Sequence, residues 1–283
     1  MKPSLAIVGY GKVGTAFGTF LQKCGYNLIG YSRTNISNEK SGVQVSQTPH
    51  EITKDADIVL ITTPDGVIEE VTKEISEKKG FKEGAIVLHT SGALPSTLLI
   101  SAKNCGAYIG SVHPLQSIAT KSFTQNPFQG VIFAIEGEKE AVEAAESIAS
   151  TLEAKSFRIK TESKTLYHAA AVVASNYLVS LIDFSVSLLE TSGIDRSECF
   201  SVIEPLVKGT LKNIEKNGTK KALTGPIVRG DEKTVQNHLD AISKDRKDLL
   251  ELYKTIGNYT VKIAQGSLDD SKISILNDLL QSK

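Results

Sequence analysis

The segment that most restricts what this chain can fold into lies near its amino end. The apolar run Leu5-Ala6-Ile7-Val8 passes directly into Gly9-Tyr10-Gly11-Lys12-Val13-Gly14, and a helical pattern continues through Ala16, Phe17, Phe20 and Leu21. A strand that enters a helix through this glycine spacing forms a turn suited to an anion. Gly9 permits the tight turn, Gly11 lets the backbone approach a diphosphate, and Gly14 lets the helix lie close to the sheet with its N-terminus towards the ligand. A glycine-rich turn with no ligand is the competing account, and the strand and helix that flank the motif weigh against it.

The pattern downstream fits a parallel sheet with helices on both faces. Short Val- and Ile-rich runs alternate with helical periodicity up to about Ile159, with candidate strands over 5–8, 28–31, 57–61, 85–89, 108–112, 131–134 and 157–159. The strand pattern then stops. Lys164 to Thr191 contains no Gly or Pro and is followed by Gly193, which predicts one helix of about 40 Å. Asp195 with Glu198 at capping-box spacing opens another helix, and helical patterns run from Asp231 to about Gly266 and from Asp269 onward. The expected domains are therefore 1–160, which binds a dinucleotide, and 161–283, all-helical, with the substrate met between them. No repeat or Pro/Ser-rich linker separates them.

Composition bears mainly on what is excluded. The 283 residues carry 32 basic and 32 acidic side chains, so no net field draws the chain to nucleic acid or anionic lipid. No stretch is expected to reach the ~18 apolar residues of a membrane span, and Met1-Lys2-Pro3 does not read as a signal peptide, which together predict a cytoplasmic protein. Cys24, Cys105 and Cys199 are far apart and show neither a disulfide nor a metal spacing.

Several strand ends carry polar groups to the edge where a doubly wound sheet binds ligands. At the second, Ser32-Arg33-Thr34 stands about 20 residues after the glycines, where NAD-binding chains usually place a carboxylate for the ribose 2′-hydroxyl. A guanidinium between two hydroxyls suits a 2′-phosphate instead, which points to NADP, with a solvated loop arginine as the alternative. Thr63 and Pro64 are expected beside the cofactor, although Pro64 also suits a strand end and Asp65 a helix cap. Ser91 in His89-Thr90-Ser91-Gly92 is a further cofactor contact or a turn cap. His113 in Ser111-Val112-His113-Pro114 is a candidate substrate contact or a hydrogen-bonded wall residue.

Reduction of a carbonyl or imine needs a proton donor. On the long helix His168 and Asn176 are separated by two turns, about 12 Å, with small residues between them. They are the candidate catalytic pair, His168 for the proton and Asn176 for orientation; a helix packed on a neighbouring subunit, with His168 bonded to a carbonyl, is an equal alternative. In Leu223-Thr224-Gly225-Pro226-Ile227-Val228-Arg229-Gly230-Asp231, Thr224 and Arg229 are candidate ligands for a substrate carboxylate, or parts of a plain connector that ends on an Asp231 cap.

The motifs Gly9 to Gly14, His89 to Leu94, His113-Pro114-Leu115-Gln116, Tyr167 to Leu178 and Leu223 to Asp231 resemble a family in which a Rossmann-like domain precedes a domain of unknown function, DUF2520. That family is similar to pyrroline-5-carboxylate reductase, ketopantoate reductase and other enzymes whose helical half is of the 6-phosphogluconate dehydrogenase type. The resemblance implies a Rossmann-type, mostly parallel sheet followed by an all-helical 6-phosphogluconate dehydrogenase C-terminal-like domain, NADP-linked reduction of a small oxo or imino acid, and a homodimer through the helical domains. Ketopantoate reductase and related hydroxyacid dehydrogenases place Lys and Asn four residues apart on the long helix, whereas this chain has Lys164 and His168. Lys164 stands near the helix start, where a solvated charge accounts for it, so the proton donor is assigned to His168. The expected function is an NADP-dependent oxidoreductase, with an NADP-binding sensor that does not turn over as the alternative. A hydrolase is disfavoured because neither GxSxG nor HExxH occurs.

Overall fold

The computed structural model describes residues 2–32, 44–46 and 48–281. These divide after Ala174 into two compact units.

The first unit is built on an eight-stranded sheet of order β3-β2-β1-β4-β5-β6-β7-β8. The strands are β1 (Ser4–Val8), β2 (Asn27–Tyr31), β3 (Gln44–Ser46), β4 (Ile58–Ile61), β5 (Ile86–His89), β6 (Tyr108–Pro114), β7 (Ile132–Gly137) and β8 (Lys155–Arg158). All neighbours are parallel except β6 and β7, which run antiparallel with Ser111 opposite Glu136 and His113 opposite Ala134. Strands β1 and β4 are almost entirely buried, as expected of central strands covered on both faces.

Helices α1 (Lys12–Lys23) and α5 (Lys139–Thr151) cover one face. Both carry apolar residues at helical spacing, Phe17, Phe20 and Leu21 on α1 and Ala141, Ala145 and Ile148 on α5, and these join one core cluster. Helices α2 (Pro49–Thr53), α3 (Ile68–Glu77) and α4 (Ile100–Lys103) place Ile52, Ile68, Ile75 and Ala102 in the cluster on the other face.

The expected long helix runs as α6 (Lys164–Val172), a π-helical turn over Val173–Tyr177, and α7 (Leu178–Thr191). The second unit continues with α8 (Arg196–Ala222), α9 (Pro226–Arg229), α10 (Glu232–Asp245), α11 (Leu250–Ala264) and α12 (Asp270–Gln281). Its core gathers Ile227, Val235, Leu239, Val261, Ala264, Leu276 and Leu280. Asp195 caps α8 by accepting the Ser197 N–H, and α8 bends at Gly218, whose φ of 72° is not helical. Asp231 caps α10 through Thr234 N–H at 3.1 Å, the role its position predicted.

One expectation is corrected. The helical stretch Thr161–Thr191 is long and apolar enough, by length and composition, to cross a membrane, and little of it is buried. Its charged residues Glu162, Lys164 and Glu190 lie near its two ends, and Asp183 is the one charge that interrupts the apolar run between them.

Candidate functional site

The glycine turn is fixed from two sides. Gly9 and Tyr10 both donate their N–H groups to the Tyr31 carbonyl at the end of β2, at 3.0 and 2.9 Å. Thr62 Oγ1 donates to the Gly9 carbonyl at 2.6 Å, which ties the turn to the end of β4. Gly9 sits at φ +99°, and a Cβ there would lie 2.7 Å from Thr63 Cγ2 and from the Thr63 amide nitrogen. A Cβ on Gly14 would lie 2.5 Å from the Gly9 carbonyl oxygen, so that glycine allows the close approach of helix and turn. At Gly11 the nearest atom would be 4.0 Å away, which leaves the space above this residue open. Helix α1 begins at Lys12 with Gly11 as its cap and no side chain bonded to its first amides. Uncapped amides, a positive helix end and open space together fit a diphosphate.

Gly9, Gly11, Ser32, Thr63, Pro64, Glu70, Glu74 and Lys121 all line one cleft beside this turn. The Thr63 hydroxyl is buried there without a hydrogen-bond partner among the described residues. Tyr10 also borders the cleft, but its ring is turned inward, where added Cβ atoms on Gly18 and Gly30 would collide with it. Its side chain is thus a core element, and only its backbone belongs to the turn. Lys12 is exposed and Val13 packs on the core beneath α1. Ser32 is buried at the end of β2, with its N–H on the Ser46 carbonyl at 3.3 Å, whereas Arg33 and Thr34 lie outside the described residues.

A second group of side chains converges at the loop after β5. A Cβ on Gly92 would lie 2.7 Å from both His113 Nε2 and His168 Cδ2, so the missing side chain lets the two imidazoles approach this backbone. Their ring centroids are 6.2 Å apart. His113 Nδ1 shares a 2.8 Å hydrogen bond with the Tyr167 hydroxyl. Burial, then the nearby Lys164 ammonium, lowers His113 to about 4, which keeps it neutral near pH 7. Burial raises Tyr167 to about 12. Ser91 is committed to the loop itself: its hydroxyl donates to Asp65 at 2.8 Å and accepts the N–H groups of Ala93 and Leu94. This arrangement is the turn cap that its sequence position allowed.

Lys164 is not a solvated charge; its side chain is 1% exposed, as is that of Glu136, with Nζ 3.3 Å from Glu136 Oε1. It also donates to Ser111 Oγ, which in turn donates to Glu136 at 2.7 Å. The Ser96 N–H and hydroxyl and the Thr161 hydroxyl complete the carboxylate's shell. Burial pushes Glu136 up, but these donors outweigh it and hold the carboxyl below its usual range. Burial lowers Lys164 to about 8 against the pull of Glu136. The tie joins the first turn of α6 to β6 and β7, and Tyr167 and His168 follow within the next turn. The sequence reading missed it, although an acid in the apolar run Ile132 to Gly137 was its visible sign.

The remaining candidates belong to the second unit. Asn176 is exposed within the π-turn, and its carbonyl accepts the Ser180 hydroxyl at 3.4 Å. Thr224 and Arg229 are exposed at the ends of the segment that enters and forms α9.

A mostly parallel sheet with a glycine turn after its first strand, followed by a helical unit, defines a two-part protein whose amino-terminal half is Rossmann-like. More particularly, residues 1–114 match the Rossmann-like domain and residues 131–260 match the domain of unknown function DUF2520. No curated protein matches it in sequence. Among solved structures, a Bacteroides fragilis protein provisionally named an NADP oxidoreductase is 24% identical with a TM-score of 0.75, covering 92% of this chain and 98% of its own. Protein TM1727 of Thermotoga maritima is 27% identical with a TM-score of 0.70, covering 93% and 98%. Pyrroline carboxylate reductase of Plasmodium falciparum, solved with NADP bound, is 13% identical with a TM-score of 0.60, covering 98% of each chain.

Proposed function

We propose that this protein is an NADP-dependent oxidoreductase acting on a small carbonyl or imine compound, in particular an oxo or imino acid. The observation that carries the reading is the glycine turn, with its uncapped helix start, open space above Gly11 and unpartnered Thr63 hydroxyl. NADPH, when bound, supplies a hydride to the electrophilic carbon. The amides at the start of α1 hold the diphosphate, and Ser32, Arg33 and Thr34 hold the 2′-phosphate. Thr63 and Pro64 form the wall beside them. His168 donates the proton to the oxygen or nitrogen that hydride addition leaves electron-rich. His113, neutral and hydrogen-bonded to Tyr167, contacts the substrate. Asn176 orients the substrate, and Thr224 and Arg229 offer donors for a carboxylate. The protein works as a cytoplasmic homodimer formed through its helical half.

Thermal-shift titration with NADPH and NADH tests the cofactor. NADPH stabilises the wild type more than NADH does, and Arg33→Ala removes that difference. Equal shifts in the wild type would refute the 2′-phosphate assignment. In a screen of 2-oxo and cyclic imino acids that follows nicotinamide absorbance, His168→Ala lowers kcat by roughly 100-fold while leaving the NADPH shift intact. Nucleotide binding with no turnover across the screen would replace this reading by a sensor.

A further inference from the structure

Lys121 is the one cation among the described residues that line the nucleotide cleft, and nothing in the sequence motif calls for it. It lies on the segment 115–130, which leaves β6 and returns to β7. That segment is fastened to the flank of α1. Phe123 meets Phe20 edge-on at 6.0 Å, and Phe128 is fully buried with its ring 4.6 Å from Phe17. Lys121 thus lies two residues before an aromatic anchored on α1, and it makes no ion pair among the described residues.

The charges in the cleft call for such a group. Glu70 and Glu74 line it, and only Glu74 has a partner, Lys78 at 2.9 Å. A diphosphate adds two further negative charges, against which the helix end offers only about half a positive one. We infer that Lys121 is a nucleotide-binding residue that reaches the diphosphate from the β6–β7 loop, in the cleft it shares with the glycine turn. This rests on the dinucleotide reading above and adds to it a contact from a remote part of the chain. The 2′-phosphate is a separate contact, which the reading above gives to Ser32, Arg33 and Thr34.

Calorimetric titration of the full chain tests this with NADPH, NADH and adenosine. Lys121→Ala weakens NADPH and NADH by the same factor, about tenfold for a lost charge-assisted contact, and leaves adenosine unchanged. Lys121→Arg retains most of the affinity, and the salt dependence of NADH binding becomes shallower in the alanine variant. The exposed position keeps the melting temperature of the free protein unchanged. A loss confined to NADPH overturns the diphosphate assignment, and unchanged affinity for both nucleotides overturns any phosphate contact. Failure of the wild type to bind either nucleotide instead removes the cofactor reading itself, and this contact with it.

Discussion

His89 sits at the end of β5, fully buried, with Nδ1 accepting the Ser91 N–H at 3.2 Å. Burial, and then the Lys164 ammonium, lowers the ring to about 3, and His113 lies at about 4 for the same two reasons. In the unfolded chain both rings take up a proton near the ordinary value of about 6.5. Below that pH the unfolded state binds more protons than the folded one, so folding stability falls as the solution is acidified towards 4 and 3. For His89 the loss approaches about 1.4 kcal/mol per pH unit once the free ring is mostly charged. Urea unfolding at several pH values between 6.5 and 5 measures it. His89→Gln flattens the slope even if it lowers the absolute stability, and an unaltered slope would show that His89 takes up its proton equally in both states.

The unit of β1, the glycine turn and α1 is where sequence and structure agree most closely, because its geometry is local. Gly9→Ala sets a Cβ against Thr63 at a backbone angle that disfavours side chains, at a cost of roughly 1–3 kcal/mol. Gly25→Ala, at φ +85° with nothing within 4 Å, carries similar backbone strain away from the cleft. Melting curves separate the two: both variants lose stability, but only Gly9→Ala also loses its shift with NADPH. An equal ligand shift in both would mean that the turn does not hold the nucleotide. Local pattern also yields seven of the strands and the Asp195 and Asp231 caps. It does not yield β3, which has three residues and no periodicity to reveal it. Nor does it fix which way Tyr10 points, since a residue between two glycines can face either side and the small residues that receive it, Gly18 and Gly30, lie on separate elements. Lys164 reads as a surface charge until Glu136 and Ser111 are brought beneath it by a strand pair formed far away in sequence.

The whole molecule leaves much apolar surface uncovered, most of all in its helical part. Val179 on α7 is 68% exposed and Leu206 on α8 is 71% exposed, with Phe200, Val202 and Leu211 about half exposed. Large exposed apolar surfaces on helices mark contacts with another protein or a membrane. The homodimer proposed above predicts twice the chain mass in sedimentation without detergent, and Leu206→Asp shifts the population to the monomer. A monodisperse wild-type monomer, or a chain that sediments as one species only in detergent, would exclude it.

The buried tie between Lys164 and the sheet has a bearing on readiness. It is made entirely of the chain's own side chains, and it clamps the helix one turn before Tyr167 and His168. Fixing that turn of the helix costs conformational entropy once, as the chain folds, and the Tyr167 hydroxyl is held further by its bond to His113.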